Sequence, residues 1–289
     1  MNDQKFALKK IKSFGLNEPI IFATIIFLID ILSSELSRKP LLSCLLQLMD
    51  YRKANYTYFI IVETVWAILG VIIIKSLGIF QTSGITKPKE WKKVWLFLPA
   101  LLLVIPSAME LINAKAYITS DPMVYLLVLI LNIMVGLGEE IIGRSLTLNI
   151  ILRKYGVTKK GIYFSVFISS IIFGAAHFAT TLAGRHDLIS GIGQVIYCIF
   201  FGVFFSACVL RNNSIWPMVF YHFVVDFISG TEELIVRDGV VSQTSSILVQ
   251  TIFLILYDLP LLLYGLFLLR KVEPRQELSD EHGELQEVM

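Results

Sequence analysis

Long apolar runs dictate what this chain can become. Segments such as PMVYLLVLILNIMVGLG at 122–138 carry no charge over a length close to a bilayer crossing. About 30 Å of hydrocarbon takes roughly 20 residues of helix. Inside lipid a backbone must satisfy its own hydrogen bonds, which leaves helices or closed barrels. The runs are continuous rather than alternating, which excludes a barrel. Hydrophobic residues make up 55% of the chain and charged residues 17%, against about 25% charged in a soluble domain. The expected fold is all-α, a polytopic transmembrane bundle of about eight spans.

Those spans are predicted at 19–36, 58–77, 95–113, 122–140, 162–182, 191–210, 215–231 and 245–269. Asp121-Pro122 suits the start of the fourth, and Pro217 suits the first turn of the seventh. Residues 141–153 are expected to continue the fourth span as an amphipathic helix or to bend away from it. The organisation read from this is 1–119, N-terminal spans; 120–231, a core bearing the polar motifs; 232–270, the last span; and 271–289, an acidic tail. The polar, Lys-bearing N-terminus precedes an apolar run from Ile20 with no small-residue cleavage signal, so that run is expected to be a retained anchor.

Lys and Arg crowd alternate loops: Lys9-Lys10, Lys92-Lys93, Arg153-Lys154, Lys159-Lys160 and Arg270-Lys271 fall on one side. By the positive-inside rule both termini are expected in the cytoplasm of a multi-pass cell-membrane protein. A net charge of +2 gives no reason for a nucleic-acid partner. The three cysteines, Cys44, Cys198 and Cys208, form no disulfide framework or thiolate metal motif.

An ionisable group within a bilayer costs roughly 2.5–3.5 kcal/mol on insertion scales, so each one needs a reason. The candidates are Asp30, Glu63, Glu110, Glu139, Glu140, Arg144, His177, His222, Asp226 and Asp258. Three groups emerge from them. Glu140 and Arg144, four apart, can pair on one helix face, leaving Glu139 turned away by about 100° and free to act as a base. Gly136, Gly138 and Gly143 admit a close neighbour around them. His177 follows Phe173 by one turn, and Phe173 can wall the site from lipid. His222 and Asp226 share a face, with Asp226 either orienting the imidazole or acting beside it as a ligand. Two His with carboxylates suit zinc, and a neighbouring Glu could then take a proton from bound water. There is no HExxH. Ser169, Ser170 and Ser206 lack an evident base at matching depth for a serine mechanism.

The three groups, in this order on separate helices, resemble the CPBP family, the CAAX prenyl proteases and bacteriocin-processing or immunity membrane proteins also called Abi. The family pattern EExxxR, FxxxH, HxxxN/D stands here as Glu139-Glu140…Arg144, Phe173…His177 and His222…Asp226. The stretches EEIIGRSLTLNI, SSIIFGAAH and SIWPMVFYHFVVD are similar to the family's wording, over roughly 120–230. Gly143 departs from the aromatic residue many members carry, and Asp226 from the Asn frequent in prenyl-protein proteases. The resemblance implies an intramembrane endopeptidase that hydrolyses a peptide bond with a Glu-activated water. Glu139 would be the base, and His177 and His222 metal ligands or oxyanion donors. Asp226 would support them, Glu140 and Arg144 would hold the site together, and Phe173 would contact substrate. A zinc ion would be held by Glu139, His177, His222 and Asp226. Expected partners are a peptide or protein substrate, membrane lipid, and a peptide exporter or sensor.

Two readings compete with the peptidase. One is a non-catalytic bacteriocin-immunity or regulatory protein of the same fold. The other is a transporter with a proton relay, which the lack of an internal repeat disfavours.

Overall fold

Side-chain caps set where the long helices begin. In the computed structural model, which describes residues 2–87, 91, 93–105, 108–109, 112, 121–230 and 246–274, the Asp50 carboxylate accepts from the Lys53 amide and opens a helix at Tyr51. Asp121 does the same for Met123, Thr158 for Gly161, Asp187 for Ile189 and Ser190, and Ser246 for Val249. Each cap satisfies an amide that the first turn leaves without a partner.

The eight principal helices are α1 (Asn2–Asn17), α2 (Pro19–Leu45), α3 (Tyr51–Leu77), α4 (Pro122–Tyr155), α5 (Lys159–His177), α6 (Leu188–Asn212), α7 (Trp216–Ser229) and α8 (Ile247–Leu269). Among the described residues, six helices are long and apolar enough to cross a membrane. Those six are α2, α3, α4, α5 with its short continuation to Leu182, α6 and α8. This is a multi-pass membrane protein with an all-helical bundle.

Several spans run longer than the apolar signal. Helix α2 continues through Arg38, Lys39 and Pro40 to Leu45, and α3 starts seven residues before the expected position 58. Polar residues at a membrane surface end an apolar run without ending a helix. The seventh span is shorter than expected: α7 has 14 residues, about 21 Å at 1.5 Å per residue. The expected third span, 95–113, is described only as short helical pieces between Val94 and Val104, and most of the rest lies outside the described residues. Glu110 and tail residues 275–289 also lie outside them.

Helix α4 does not bend away after Glu140. It widens into a π-helical stretch, Ile141–Leu148, and resumes α-helix to Tyr155. The π-helical residues are all buried, and the stretch packs against α2, α3, α5 and α6. Helix α6 lies along α5 and α8, while α4 lies along α3 and α7. Phe204, Phe205, Met218 and Tyr221 fill the centre.

The basic loops converge at one end of the bundle. Lys154 reaches the Asn17 carbonyl, Lys159 reaches the carbonyls of Arg270 and Val272, and Lys93 reaches that of Arg211. These contacts bring Asn17 and Val272 to the same end. At the opposite end Lys53 bridges Asp50 at 3.3 Å and Asp121 at 2.6 Å, tying α3 to α4. The Lys53 ammonium holds the Asp121 carboxyl below the usual carboxylate range.

Candidate active site

Three pairs of side chains four residues apart, each on its own helix, meet inside the bundle. On α4, Arg144 Nη1 donates to Glu140 Oε1 at 2.7 Å, with both side chains buried. On α5, His177 Nδ1 donates to the Phe173 carbonyl at 3.0 Å. On α7, His222 Nε2 stands 3.3 Å from Asp226 Oδ2.

Glu140 also joins α4 to α7. The same Oε1 that accepts from Arg144 accepts from His222 Nδ1 at 2.9 Å. A carboxylate only accepts, so Nδ1 of His222 carries a proton, and likewise Nδ1 of His177 against its carbonyl. Both rings are thereby fixed with Nε2 turned toward Glu139. Glu139 Oε1 lies 3.8 Å from His177 Nε2, and Glu139 Oε2 lies 3.6 Å from His222 Nε2. The Glu139 side chain keeps 24% of its surface exposed, whereas Glu140 keeps none. Adjacent carboxylates on one helix therefore face different surroundings, Glu140 a buried network and Glu139 a cavity.

That cavity, about 490 Å³, is lined by Glu139, His177, His222 and Asp226, with Tyr197 and Asp258 on its far side. Aromatic rings hold the charged groups. The Arg144 guanidinium lies 4.5 Å from the Phe173 ring centroid and 5.0 Å from that of Phe205. Cation–π contacts of this kind contribute about 2 kcal/mol when desolvated, comparable to the cost of bringing an Arg into the bilayer. Phe173 thus supports Arg144 as well as walling the cavity. Its ring also meets His177 edge-on at 4.8 Å, as Phe205 meets His222 at 5.3 Å.

Glycines permit this convergence. A Cβ on Gly136 would stand 3.0 Å from the Val219 carbonyl oxygen and 3.1 Å from the Phe223 nitrogen, so α7 approaches α4 there and carries His222 to Glu140. At Gly138 the occupant is the Glu63 carboxylate of α3. Gly143 differs, since a Cβ there would meet only Phe173, at an ordinary 3.7 Å. Valine at Gly136 should push α7 outward and cost roughly 10²-fold in turnover, the scale expected for a misplacement near 1 Å. Turnover should fall far more than the melting temperature does. Unchanged turnover in Gly136→Val would mean that this contact does not position His222.

Several lining residues have no sequence motif. Phe205, Tyr197 and Asp258 come from α6 and α8, and only the charge of Asp258 within an apolar run singles it out. Asp30 and Glu63 line a smaller cavity, about 180 Å³, that shares Glu139 and His177 with the larger one. Ser169 and Ser170 turn their hydroxyls back onto the Val166 carbonyl.

The donor set of Glu139, His177, His222 and Asp226 suits zinc chemically, but among the described residues no three His, Cys, Asp or Glu side chains are grouped to hold one ion.

Residues 121–228 match the family model of the Rce1-like type II CAAX prenyl endopeptidases. The match spans all three pairs, from the cap of α4 to the last turn of α7. No curated protein and no solved structure matches the chain.

Proposed function

We propose that this chain, whose segment 121–228 is of the CAAX-protease type, is an intramembrane endopeptidase in which Glu139 activates a water molecule. The observation that carries this reading is the placement of a partly exposed carboxylate on a cavity, between two imidazole Nε2 atoms at 3.6 and 3.8 Å. Glu139 takes a proton from water as the oxygen attacks the scissile carbonyl carbon. The developing oxyanion lies toward His177 and His222, which stabilise it when their Nε2 atoms carry protons. Glu139 then returns the proton to the leaving amine nitrogen. Glu140 and Arg144 orient His222, and Asp226 faces its Nε2.

No step is routed through a metal, because among the described residues no three candidate ligands are grouped to hold one ion. The proposed setting is the cell membrane with both termini in the cytoplasm, supported by the gathering of basic loops at the end that carries Asn17 and Val272.

The test is cleavage of lipidated and unlipidated peptides by the full chain in liposomes, in water enriched in oxygen-18. The new carboxyl group should carry the label, and a strong chelator should leave the rate unchanged. Loss of activity on chelation, restored by zinc, would overturn the metal-free mechanism. Cys198 lines the same cavity, so Cys198→Ala should retain turnover; its inactivation would shift the reaction to a thiol. Absence of cleavage together with a persisting protective phenotype in cells would move the non-catalytic immunity reading to first place.

A further inference from the structure

A second cavity, about 680 Å³, opens at the basic end of the bundle, and the reaction just described does not use it. Its mouth carries Lys87, and one side of it follows Leu152, Leu148 and Arg144, which succeed one another by about a turn along α4. Arg144 therefore borders both cavities.

The side chain at the floor has a donor without an acceptor. Arg144 is 4% exposed and its Nη1 is taken by Glu140, while Nη2 is buried with no hydrogen-bond partner among the described residues. A buried guanidinium donor without an acceptor is costly, and such a group in a folded protein needs an explanation.

The mouth is a built loop. Ser214 donates its hydroxyl to the Lys87 carbonyl at 2.7 Å, and the Trp216 indole donates to that of Ile85 at 2.8 Å. Gly84, at φ +78°, lies against Ile215. Asn149 Nδ2 donates to Thr82 Oγ1 at 3.2 Å, fastening the loop to α4. This leaves the Lys87 side chain exposed at the rim. Among the described residues lining this cavity, none is acidic.

We propose that this cavity binds a phosphate-type oxyanion, with Lys87 engaging it at the mouth and the positive charge of Arg144 drawing it toward the floor. A guanidinium and a mobile ammonium are the groups that recognise phosphate. Basic pockets between helices at the Lys-rich end of a membrane protein lie at the level of anionic headgroups. The oxyanion can come from a lipid headgroup or from free phosphate. The proposal goes beyond the peptidase reading and does not depend on it, because its readout is binding.

The test measures thermal unfolding of the full chain in nanodiscs of phosphatidylcholine alone, the same with phosphatidylglycerol, and the same with inorganic phosphate. A ligand bound only by the folded state raises the melting temperature, here by about 3 °C or more. A rise with phosphatidylglycerol alone assigns the site to a lipid headgroup. A rise with inorganic phosphate assigns it to a soluble oxyanion. Lys87→Glu should remove either rise, and Leu152→Trp, which fills the shaft, should do the same. Lys271→Glu, at the same end but outside the cavity lining, should keep it. No rise in any condition overturns the proposal. So does a rise that survives Lys87→Glu, or one that Lys271→Glu removes equally, because both describe diffuse surface charge.

Discussion

Glu139→Gln should lower peptide hydrolysis by about 10²–10⁴-fold, the usual contribution of a positioned general base, and leave the protein folded. Both halves follow from its surroundings. The carboxylate faces a cavity, stands 3.6 and 3.8 Å from two imidazole nitrogens, and the buried ion pair belongs to Glu140. Removing its charge strands no buried partner. Gln keeps the shape but cannot take a proton from water. Turnover and melting temperature measured on one preparation separate the two effects. Full activity in Glu139→Gln would remove it as the base.

Glu140→Ala should fail differently, with loss of folded protein. Its Oε1 accepts from both Arg144 and His222, so the change leaves a buried guanidinium without its carboxylate and the His222 Nδ1–H without its acceptor. Breaking a buried ion pair costs roughly 3–5 kcal/mol, a large share of the total stability of most domains. Adding Arg144→Ala removes the stranded charge and should restore part of the folded yield. It should not restore turnover, because His222 still lacks the acceptor that fixes its ring. The comparison needs only yield, melting temperature and cleavage for the two variants. Recovery of turnover in the double variant would show that Glu140 does not orient His222.

The sequence made the helices legible because hydrocarbon permits few alternatives, and start signals were visible at Asp121 and Pro217. The ends of α2 and α3 were less so. The first span was expected to end at 36, yet the helix continues to Leu45. The three pairs could be read locally, because spacing by four residues fixes a shared helix face. Contacts between helices could not. The Glu140–His222 bond spans 82 residues, and no periodicity encodes which rotation of α4 meets which rotation of α7. Gly136 was visible as a site of close approach, but not which helix it admits. The same limit applies to Phe205 and Asp258, whose roles follow from packing of α6 and α8 around the cavity. The widening of α4 after Glu140 had no sequence signal that distinguishes it from ordinary helix.

The shortness of α7 bears on how the reaction obtains its water. At about 21 Å the helix falls short of a bilayer's hydrocarbon thickness, so one entering from the basic end stops inside it. Its last turn carries the Asp226 carboxylate and the Ser229 hydroxyl to that depth, where polar side chains need polar surroundings. Lipid tails offer none. Asp226 and Ser229 both border the cavity that holds Glu139, where water can solvate them. In the proposed reaction a short span of this kind acts as a wick, wetting the membrane interior at the depth where the bond would be broken.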